Sequence, residues 1–210
     1  MKYKVMIVED QTMPRELFEL RIQASEHFEV ALSIDNAALA DVYCLRFPVD
    51  LILMDVITRD GENGLDAAAR IKRAFPQIKI IIVTSMPECS YLKRAKEIGV
   101  ESFWYKEEQR ESLLDVMERT MNGESVYPGA SPELTLGMAS SYQFTERELD
   151  ILREITSGDT NQEIADRLNM SVATVKTHIL NMLEKTGFRN RTELAVRARE
   201  SGLVILNRRN

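Results

Sequence analysis

The chain has 210 residues, of which 44% are hydrophobic and 29% are charged, and its formal net charge is −6. This composition is typical of a folded globular protein and excludes an intrinsically disordered chain. No apolar run reaches the ~18 residues that a membrane span requires, and the opening sequence MKYKVMIVED has no secretory signal core, so no membrane partner is predicted. Two cysteines, Cys44 and Cys89, favour reduced thiols in a cytoplasmic protein over a single disulfide.

Charge is distributed unevenly along the chain. Residues 1–141 carry 16 basic and 23 acidic side chains, whereas residues 142–210 carry 11 and 10, and residues 171–199 alone carry 6 and 2. An acidic first part joined to a locally basic second part indicates two domains with different partners.

Short apolar runs alternate with helix-period segments over residues 1–122. The apolar runs lie at 4–8, 28–34, 51–54, 79–83 and 102–105, and the helical segments at about 14–25, 36–46, 64–74, 88–98 and 109–121. This alternation predicts an α/β fold, a doubly wound sheet of five parallel strands with helices on both faces. Ligands of such sheets bind beyond the carboxyl ends of the strands.

Charged and hydroxyl side chains follow four of the predicted strands: Glu9 and Asp10, Asp55, Thr84 and Lys106. Each alone is more often a solvated strand end or a helix cap, but all are predicted to meet at one edge of the sheet. Crowded carboxylates are stabilised by a hard cation, and Mg²⁺ prefers oxygen ligands. Asp55, which interrupts a buried strand, is then a candidate nucleophile for phosphoryl transfer. Lys106 and Thr84 are candidate donors to phosphoryl oxygens.

Residues 1–122 resemble the receiver domain of two-component response regulators. The resemblance rests on the acidic pair Glu9-Asp10, on LILMDV around Asp55, on IIVTS with Thr84 and on SFWYK ending in Lys106. It implies a flavodoxin-like fold in which Asp55 accepts phosphate from a histidine kinase. The implied Mg²⁺ ligands are Glu9, Asp10, Asp55 and the backbone carbonyl of Ile57, and the implied phosphoryl-binding and switch residues are Thr84, Phe103 and Lys106.

Three features depart from that family. The loop ITRDGENG after Asp55 lacks proline and is one residue longer than the frequent Met-Pro-Gly turn, and Glu107 stands where proline often follows the lysine. Negative charge is added near the predicted site by Asp60, Glu62, Glu107 and Glu108. Ile57 and Met86 are expected apolar neighbours of the site, which predicts slow loss of the phosphoryl group.

Two alternatives stay open for this first domain. A pseudo-receiver would have the same fold and be controlled without phosphorylation. A phosphohydrolase would use an aspartyl intermediate, but that chemistry normally requires a second carboxylate two residues beyond the nucleophile, where Ile57 stands. GENGLDAA lacks the GK[ST] ending of a nucleotide-binding loop, so nucleotide binding is not supported. We predict that the protein is not an enzyme.

Residues 123–143 are dense in Gly, Pro and Ser and show no hydrophobic period. This composition predicts a linker. Either it is a connector of limited order, or it is an extended arm packed along one of the domains.

Residues 144–210 are predicted to form a small all-α domain. Thr145 and Glu148 have the spacing of a helix capping box, and further helices begin near Asn161 and Ser171. Asn169 suits the left-handed conformation of the tight turn between the last two. Val172, Val175, Ile179 and Met182 are predicted to face inward. The pattern indicates a DNA-binding helix-turn-helix, and the alternative is a helical hairpin that contacts other proteins.

Residues 144–202 closely resemble the LuxR-type domain. The resemblance rests on the segments FTERELDIL, NQEIADRLNMSVATVKTHILNMLEKTG and RNRTELAVRA. A receiver followed by this domain is the architecture of the NarL/FixJ class of transcription regulators, which implies double-stranded DNA as a partner. By position, Lys176, Thr177 and Leu180 would read bases, and Thr174, His178, Asn181 and Lys185 would contact phosphates or position the helix. A last helix, about 192–201, either supports a homodimer on DNA or packs on the domain core.

Overall fold

The computed structural model describes residues 2–59, 63–85, 89–106, 111–131 and 133–204. They form two compact units, which we call the sheet unit (described residues within 2–85 and 91–130) and the helical unit (described residues within 131–204). Asp60, Glu62, Met86, Glu107 and Glu108 lie outside the described residues, and so do the predictions about charge and phosphoryl lifetime that rest on them.

The sheet unit alternates strands with helices. Its elements are β1 (Tyr3–Val8), α1 (Thr12–Gln23), β2 (Phe28–Ile34), a 3₁₀ turn (Ala37–Leu39), α2 (Ala40–Arg46), β3 (Leu51–Met54), α3 (Gly64–Ala74), β4 (Lys79–Thr84), α4 (Cys89–Ile98), β5 (Ser102–Tyr105) and α5 (Leu113–Met121). All strand pairs are parallel, in the order β2-β1-β3-β4-β5. The predicted doubly wound sheet is confirmed.

Both faces of the sheet are covered, because successive side chains of a strand point to opposite faces. On one face, Ile7, Leu53 and Trp104 share a buried cluster with Phe18 of α1 and Met117 of α5. The alternate residues, including Met6, Ile52, Ile82 and Phe103, are also buried. The strands are therefore almost continuously apolar, and a charge is tolerated only where a strand ends.

Local capping explains where the helices begin. Asn63 accepts from Leu65 N at the start of α3, and Ser112 accepts from Asp115 N at the start of α5. Helix α1 begins at Thr12 rather than at the predicted residue 14, because proline at position 14 is tolerated anywhere in the first turn. Cys44 in α2 carries a free, half-buried thiol, whose pKa is raised to about 11 by burial and by the Asp41 charge.

The helical unit comprises β6 (Thr135–Leu136), β7 (Ala139–Ser140), a 3₁₀ turn (Ser141–Gln143), α6 (Glu146–Thr156), α7 (Asn161–Arg167), α8 (Val172–Thr186) and α9 (Arg191–Ser201). Its core contains Leu152, Ile164, Val175, Met182 and Leu194, from all four helices. In the part of the chain that the structure describes, no helix combines the length and the apolar character needed to cross a bilayer.

Described residues of the segment 123–143 make hydrogen bonds within each unit. Val126 is hydrogen-bonded to β5 of the sheet unit, whereas Met138 N donates to Thr186 O within the helical unit. Val126 thus belongs to the sheet unit and Met138 to the helical unit.

Candidate functional site

Three carboxylates meet at the carboxyl end of the sheet. One ligand oxygen each from Glu9, Asp10 and Asp55 lies within 4.8 Å of the others. Strands β1 and β3 are neighbours that pair Val8 with Met54, so the residues that follow them are brought together. Glu9 and Asp55 are only 1% and 5% exposed, which makes their charges costly without compensation.

Lys106 supplies that compensation. Its Nζ lies 2.5 Å from Glu9 Oε2 and 2.7 Å from Asp55 Oδ2, and its side chain is 10% exposed. Its backbone N donates to Thr84 O, which fixes the end of β5 beside the end of β4. One ammonium thus bridges two buried carboxylates, and the third, Asp10, remains half-buried beside them.

Burial and charge shift the pKa of each member of this cluster. Burial, and then the charge of Asp55, raise the pKa of Glu9 to about 7. Burial also raises the pKa of Asp55, although the Lys106 ammonium and backbone donors from Val56 and Ile57 oppose that shift. Burial lowers the pKa of Lys106, but the two facing carboxylates outweigh it and hold the pKa above its ordinary value. The lysine therefore stays charged at neutral pH.

The donor set fits a hard divalent cation. It consists of carboxylate oxygens alone, close enough to share one ion, and it carries more negative charge than Lys106 balances. Mg²⁺ is bound in proteins by such oxygens, usually one or two carboxylates with several waters. Glu9, Asp10 and Asp55 are therefore suited to hold Mg²⁺.

The loop after Asp55 returns to it through Gly64, which the sequence reasoning missed. Gly64 N donates to Val56 O, and Ile57 pairs with Asn63 in an isolated bridge. A Cβ on Gly64 would lie 1.8 Å from the carbonyl oxygen of Asp55, so a side chain there requires the loop to move. In the sequence, Gly64 is only a glycine at the start of a predicted helix, and this position does not predict the contact with Asp55.

Arg15 is a second residue that was missed. One guanidinium nitrogen donates to Glu9 O over 2.9 Å, so α1 holds the backbone of the acidic pair in place. Nothing in the local pattern of α1 distinguishes Arg15 from its other charged residues.

The predicted switch residues lie on one face of the sheet. The register pairs Ile82 with Phe103 and Thr84 with Tyr105, so alternate positions of the two strands face the same way. Thr84 is fully buried and Phe103 is 2% exposed. The Phe103 ring centroid is 5.0 Å from that of Tyr105.

The second predicted site is the face of α8. Asn169 has φ +53° in the turn that joins α7 to α8, as expected for a tight helix-turn-helix connection. Thr145, Thr160 and Ser171 cap α6, α7 and α8, and the capping boxes at Thr145 and Thr160 are both complete. The sequence reasoning identified only the first of these boxes.

Helix α8 turns one face inward and one outward. Val175, Ile179 and Met182 are buried, and Val172 is half-buried. The exposed residues among those predicted to contact DNA are Thr174, Lys176, Thr177, Leu180 and Asn181, whereas His178 is half-buried.

Lys185 is engaged within the helical unit. Its Nζ donates to both carboxylate oxygens of Glu148 (2.8 and 2.7 Å) and to Gln143 O (2.9 Å). Glu148 is 2% exposed and also accepts from the backbone N–H of Thr145. These contacts tie the end of α8 to the start of α6.

Comparison with known proteins identifies a family for each part of the chain. The family model for the response regulator receiver domain matches residues 5–118, and that for bacterial regulatory proteins of the luxR family matches residues 142–198. Response regulator protein VraR of Staphylococcus epidermidis is 34% identical over 97% of this chain and 100% of its own length. The chain is a two-domain response regulator. VraR of Staphylococcus aureus is 33% identical with the same coverage.

Solved structures share the fold of this response regulator. RcsB from Salmonella enterica serovar Typhimurium, bound to promoter rprA in the presence of phosphomimetic BeF₃⁻, superposes with a TM-score of 0.60 at 18% identity, over 94% of this chain and 98% of that one. ChrA of a haem-sensing two-component system gives 0.53 at 21% identity, over 97% and 99%. A receiver domain joined to a LuxR-type DNA-binding domain makes this protein a transcription regulator of a two-component system.

Proposed function

We propose that a histidine kinase phosphorylates Asp55 and that the phosphorylated protein binds double-stranded DNA as a homodimer through α8. The observation that carries the proposal is the contact of Lys106 with Glu9 and Asp55 beside Asp10. This cluster brings together a buried nucleophile, a cationic side chain and a set of metal-binding oxygens at one edge of the sheet.

Asp55 is suited to act as the nucleophile. One carboxylate oxygen attacks the phosphorus of a phosphohistidine, the new O–P bond forms, the P–N bond breaks, and the leaving imidazole takes up a proton. Asp55 Oδ1 accepts from Val56 N (2.6 Å) and Oδ2 from Lys106, which fix the orientation of the carboxylate. The ammonium also favours the deprotonated form that the attack requires.

We assign Glu9, Asp10, Asp55 and the backbone carbonyl of Ile57 as ligands of Mg²⁺. The bound cation would neutralise negative charge on the transferred phosphoryl group. Lys106 and the Thr84 hydroxyl would hydrogen-bond its oxygens. Because Thr84 and Phe103 share a sheet face, a movement of Thr84 toward the phosphoryl group gives Phe103 space to rearrange.

The outer face of α8 is suited to the major groove of DNA. It exposes one cation, two polar side chains and one apolar side chain that match common base and phosphate contacts: Lys176, Thr177, Asn181 and Leu180. The RcsB structure with promoter DNA supports this assignment by its fold.

Intact mass after incubation with a small phosphodonor and Mg²⁺ tests the first step. We expect the wild type to gain one phosphoryl group and Asp55→Asn to gain none. DNA fragments selected from a random pool with the phosphorylated protein then test the second step, since their affinity should depend on phosphodonor in the wild type alone. A wild type that binds DNA but never gains mass would establish the pseudo-receiver instead.

A further inference from the structure

The backbone of Val126 is hydrogen-bonded to β5, the last strand of the sheet. Phe103 N donates to Val126 O (2.8 Å), and Val126 N donates to Ser102 Oγ (3.1 Å). The same Ser102 hydroxyl lies 2.7 Å from Thr120 Oγ1 of α5, and both residues are fully buried. Residues 125–127, which we call the arm, therefore cover an edge of the sheet.

Tyr127 anchors the arm through three contacts. Its ring centroid is 6.3 Å from that of Phe103, Lys96 Nζ lies 5.0 Å above the ring, and the hydroxyl donates to Val100 O over 2.8 Å. Burial, and then the charge of Glu101, raise the pKa of the Tyr127 hydroxyl far above its ordinary value. The hydroxyl thus stays protonated and remains a donor.

Phe103 connects the arm to the predicted phosphorylation site. Its ring lies near those of both Tyr105, the register partner of Thr84, and Tyr127. Interiors are closely packed, so a 2%-exposed ring cannot move unless its neighbours move too. Phe103 also holds the arm by its backbone N–H, which gives the arm two separate links to one residue.

We propose that the arm is a latch: it stays docked on β5 while Phe103 keeps its present position, and it is released when Phe103 moves. The latch rests on the proposed function, in which phosphorylation of Asp55 shifts Thr84 and Phe103. It assigns a regulatory role to Tyr127 and Val126, two residues of the segment that joins the units.

Release changes how far the helical unit can reach. In the docked state, Tyr127 is the last of the described residues before that unit for which a hydrogen bond or ring contact to the sheet unit is seen. After release it is Glu124, which stays held because its N–H donates to Arg119 O and its carboxylate accepts from Arg119 Nε. Three residues are freed, which adds roughly 10 Å of extended chain per protomer. The half-sites that a dimer contacts on DNA are ~34 Å apart, so the added chain length is a substantial fraction of the distance between the two DNA-binding units.

Hydrogen exchange on the full-length protein tests the latch. With phosphodonor and Mg²⁺, we expect the amides of residues 125–127 and of Phe103 to exchange faster by roughly 5-fold or more, the protection typical of one hydrogen bond. Tyr127→Ala should show the faster exchange without phosphodonor and should bind selected DNA more tightly than the unphosphorylated wild type. Tyr127→Phe is the matched control: it keeps the ring against Phe103 and loses only the hydroxyl bond to Val100 O, so its exchange should still rise when phosphodonor is added.

The outcomes separate the latch from the proposed function. A mass gain on Asp55 with unchanged exchange at residues 125–127 overturns the latch and leaves the proposed function intact. Absence of the mass gain overturns the proposed function, and with it the trigger of the latch. Tyr127→Ala with wild-type exchange and DNA affinity overturns the latch in either case.

Discussion

Lys106 Nζ lies 2.7 Å from Asp55 Oδ2, although these residues follow strands that are not neighbours in the sheet. The lysine side chain reaches from the end of β5 past the end of β4 and also contacts Glu9 at the end of β1. It therefore neutralises charge contributed by two other strands. This contact explains how buried carboxylates persist at the sheet edge.

Lys106→Met should destabilise the metal-free protein. Removal of one partner from a buried ion pair costs about 3–5 kcal/mol, because the remaining charge is left uncompensated. Urea unfolding in the presence of a chelator at pH 8 measures this loss. Lys93→Met, which breaks the exposed pair with Glu97, is the control and should cost at most about 1 kcal/mol. Equal losses for both variants would contradict the role of Lys106.

The raised pKa of Glu9 predicts a pH dependence of stability without metal. The carboxyl titrates near 7 when folded, against an ordinary value of 4.5, so between these values the folded state binds more protons than the unfolded state. Stability should therefore fall as pH rises through this window, by an amount on the order of 3 kcal/mol at ~1.4 kcal/mol per pKa unit. The measurement is the free energy of unfolding from pH 5 to pH 8 with chelator.

Glu9→Gln is the control for this titration, because it cannot ionise and should show a flatter pH profile. Added Mg²⁺ should have the opposite dependence and stabilise the wild type more at pH 8 than at pH 6, since its ligands must be deprotonated. A wild-type profile that coincides with that of Glu9→Gln would show that another group is responsible.

The sequence predicted which functional side chains follow each strand, but not which contacts those side chains make. Asp55 and Lys106 each follow an apolar run that predicts a strand. Because parallel strands end at the same edge of a sheet, the sequence placed both side chains at that edge. Which carboxylate the lysine would reach depends on side-chain packing across three strands, which no local pattern encodes. The close approach of Gly64 to the Asp55 carbonyl, nine residues earlier, could not be predicted for the same reason.

Helical periodicity likewise predicted the exposed face of α8 but not the contacts of its last turn. Lys185 lies at the edge of that face, where its long side chain can reach solvent or the adjacent helix. The Lys185 side chain contacts the adjacent helix because it pairs with buried Glu148, and the burial of Glu148 depends on the packing of α6 against α8. The arm was similarly ambiguous, since its hydrogen bonds to Ser102 and Phe103 involve backbone that any sequence carries.

Gly64→Ala should impair the phosphoacceptor site. A methyl group 1.8 Å from Asp55 O and 2.9 Å from Met54 Cγ must displace the backbone of Asp55. Overpacking of this kind costs about 1–3 kcal/mol, and we expect slower phosphorylation by a small phosphodonor as well. Gly129→Ala is the control, because no atom lies within 4 Å of its added Cβ. Wild-type rates in Gly64→Ala would refute the close approach.

Glu148 should make the helical unit sensitive to acid. Burial raises its pKa, but the Lys185 ammonium and the Thr145 donors outweigh burial and hold the pKa below its ordinary value. A lowered folded pKa gives a stabilisation that is present above the unfolded value of 4.5 and is lost as pH falls through the folded value. Hydrogen exchange of α6 and α8 should show this acid loss in the wild type and not in Glu148→Gln. At pH 7 that variant should lose about 1–3 kcal/mol, the cost of a hydrogen bond to a charged group.

Lys176 and Leu180 should contribute to DNA binding in different ways. An exposed lysine on α8 can contact phosphate or guanine, whereas a leucine can contact only apolar groups such as the thymine methyl. Lys176→Ala should therefore weaken binding by about 1–3 kcal/mol and reduce its salt dependence. Leu180→Ala should leave the salt dependence unchanged and weaken binding only to sites with thymine at the contacted position.

Glu184 provides the matched control for these two variants. It lies on the exposed side of α8 one turn beyond Leu180, and its charge repels phosphate. Glu184→Ala should bind selected DNA at least as tightly as the wild type. Titrations at two salt concentrations, on selected sites with and without the thymine, measure all three variants. Equal weakening by Lys176→Ala and Glu184→Ala would show that α8 is perturbed as a whole and that its outer face does not read DNA.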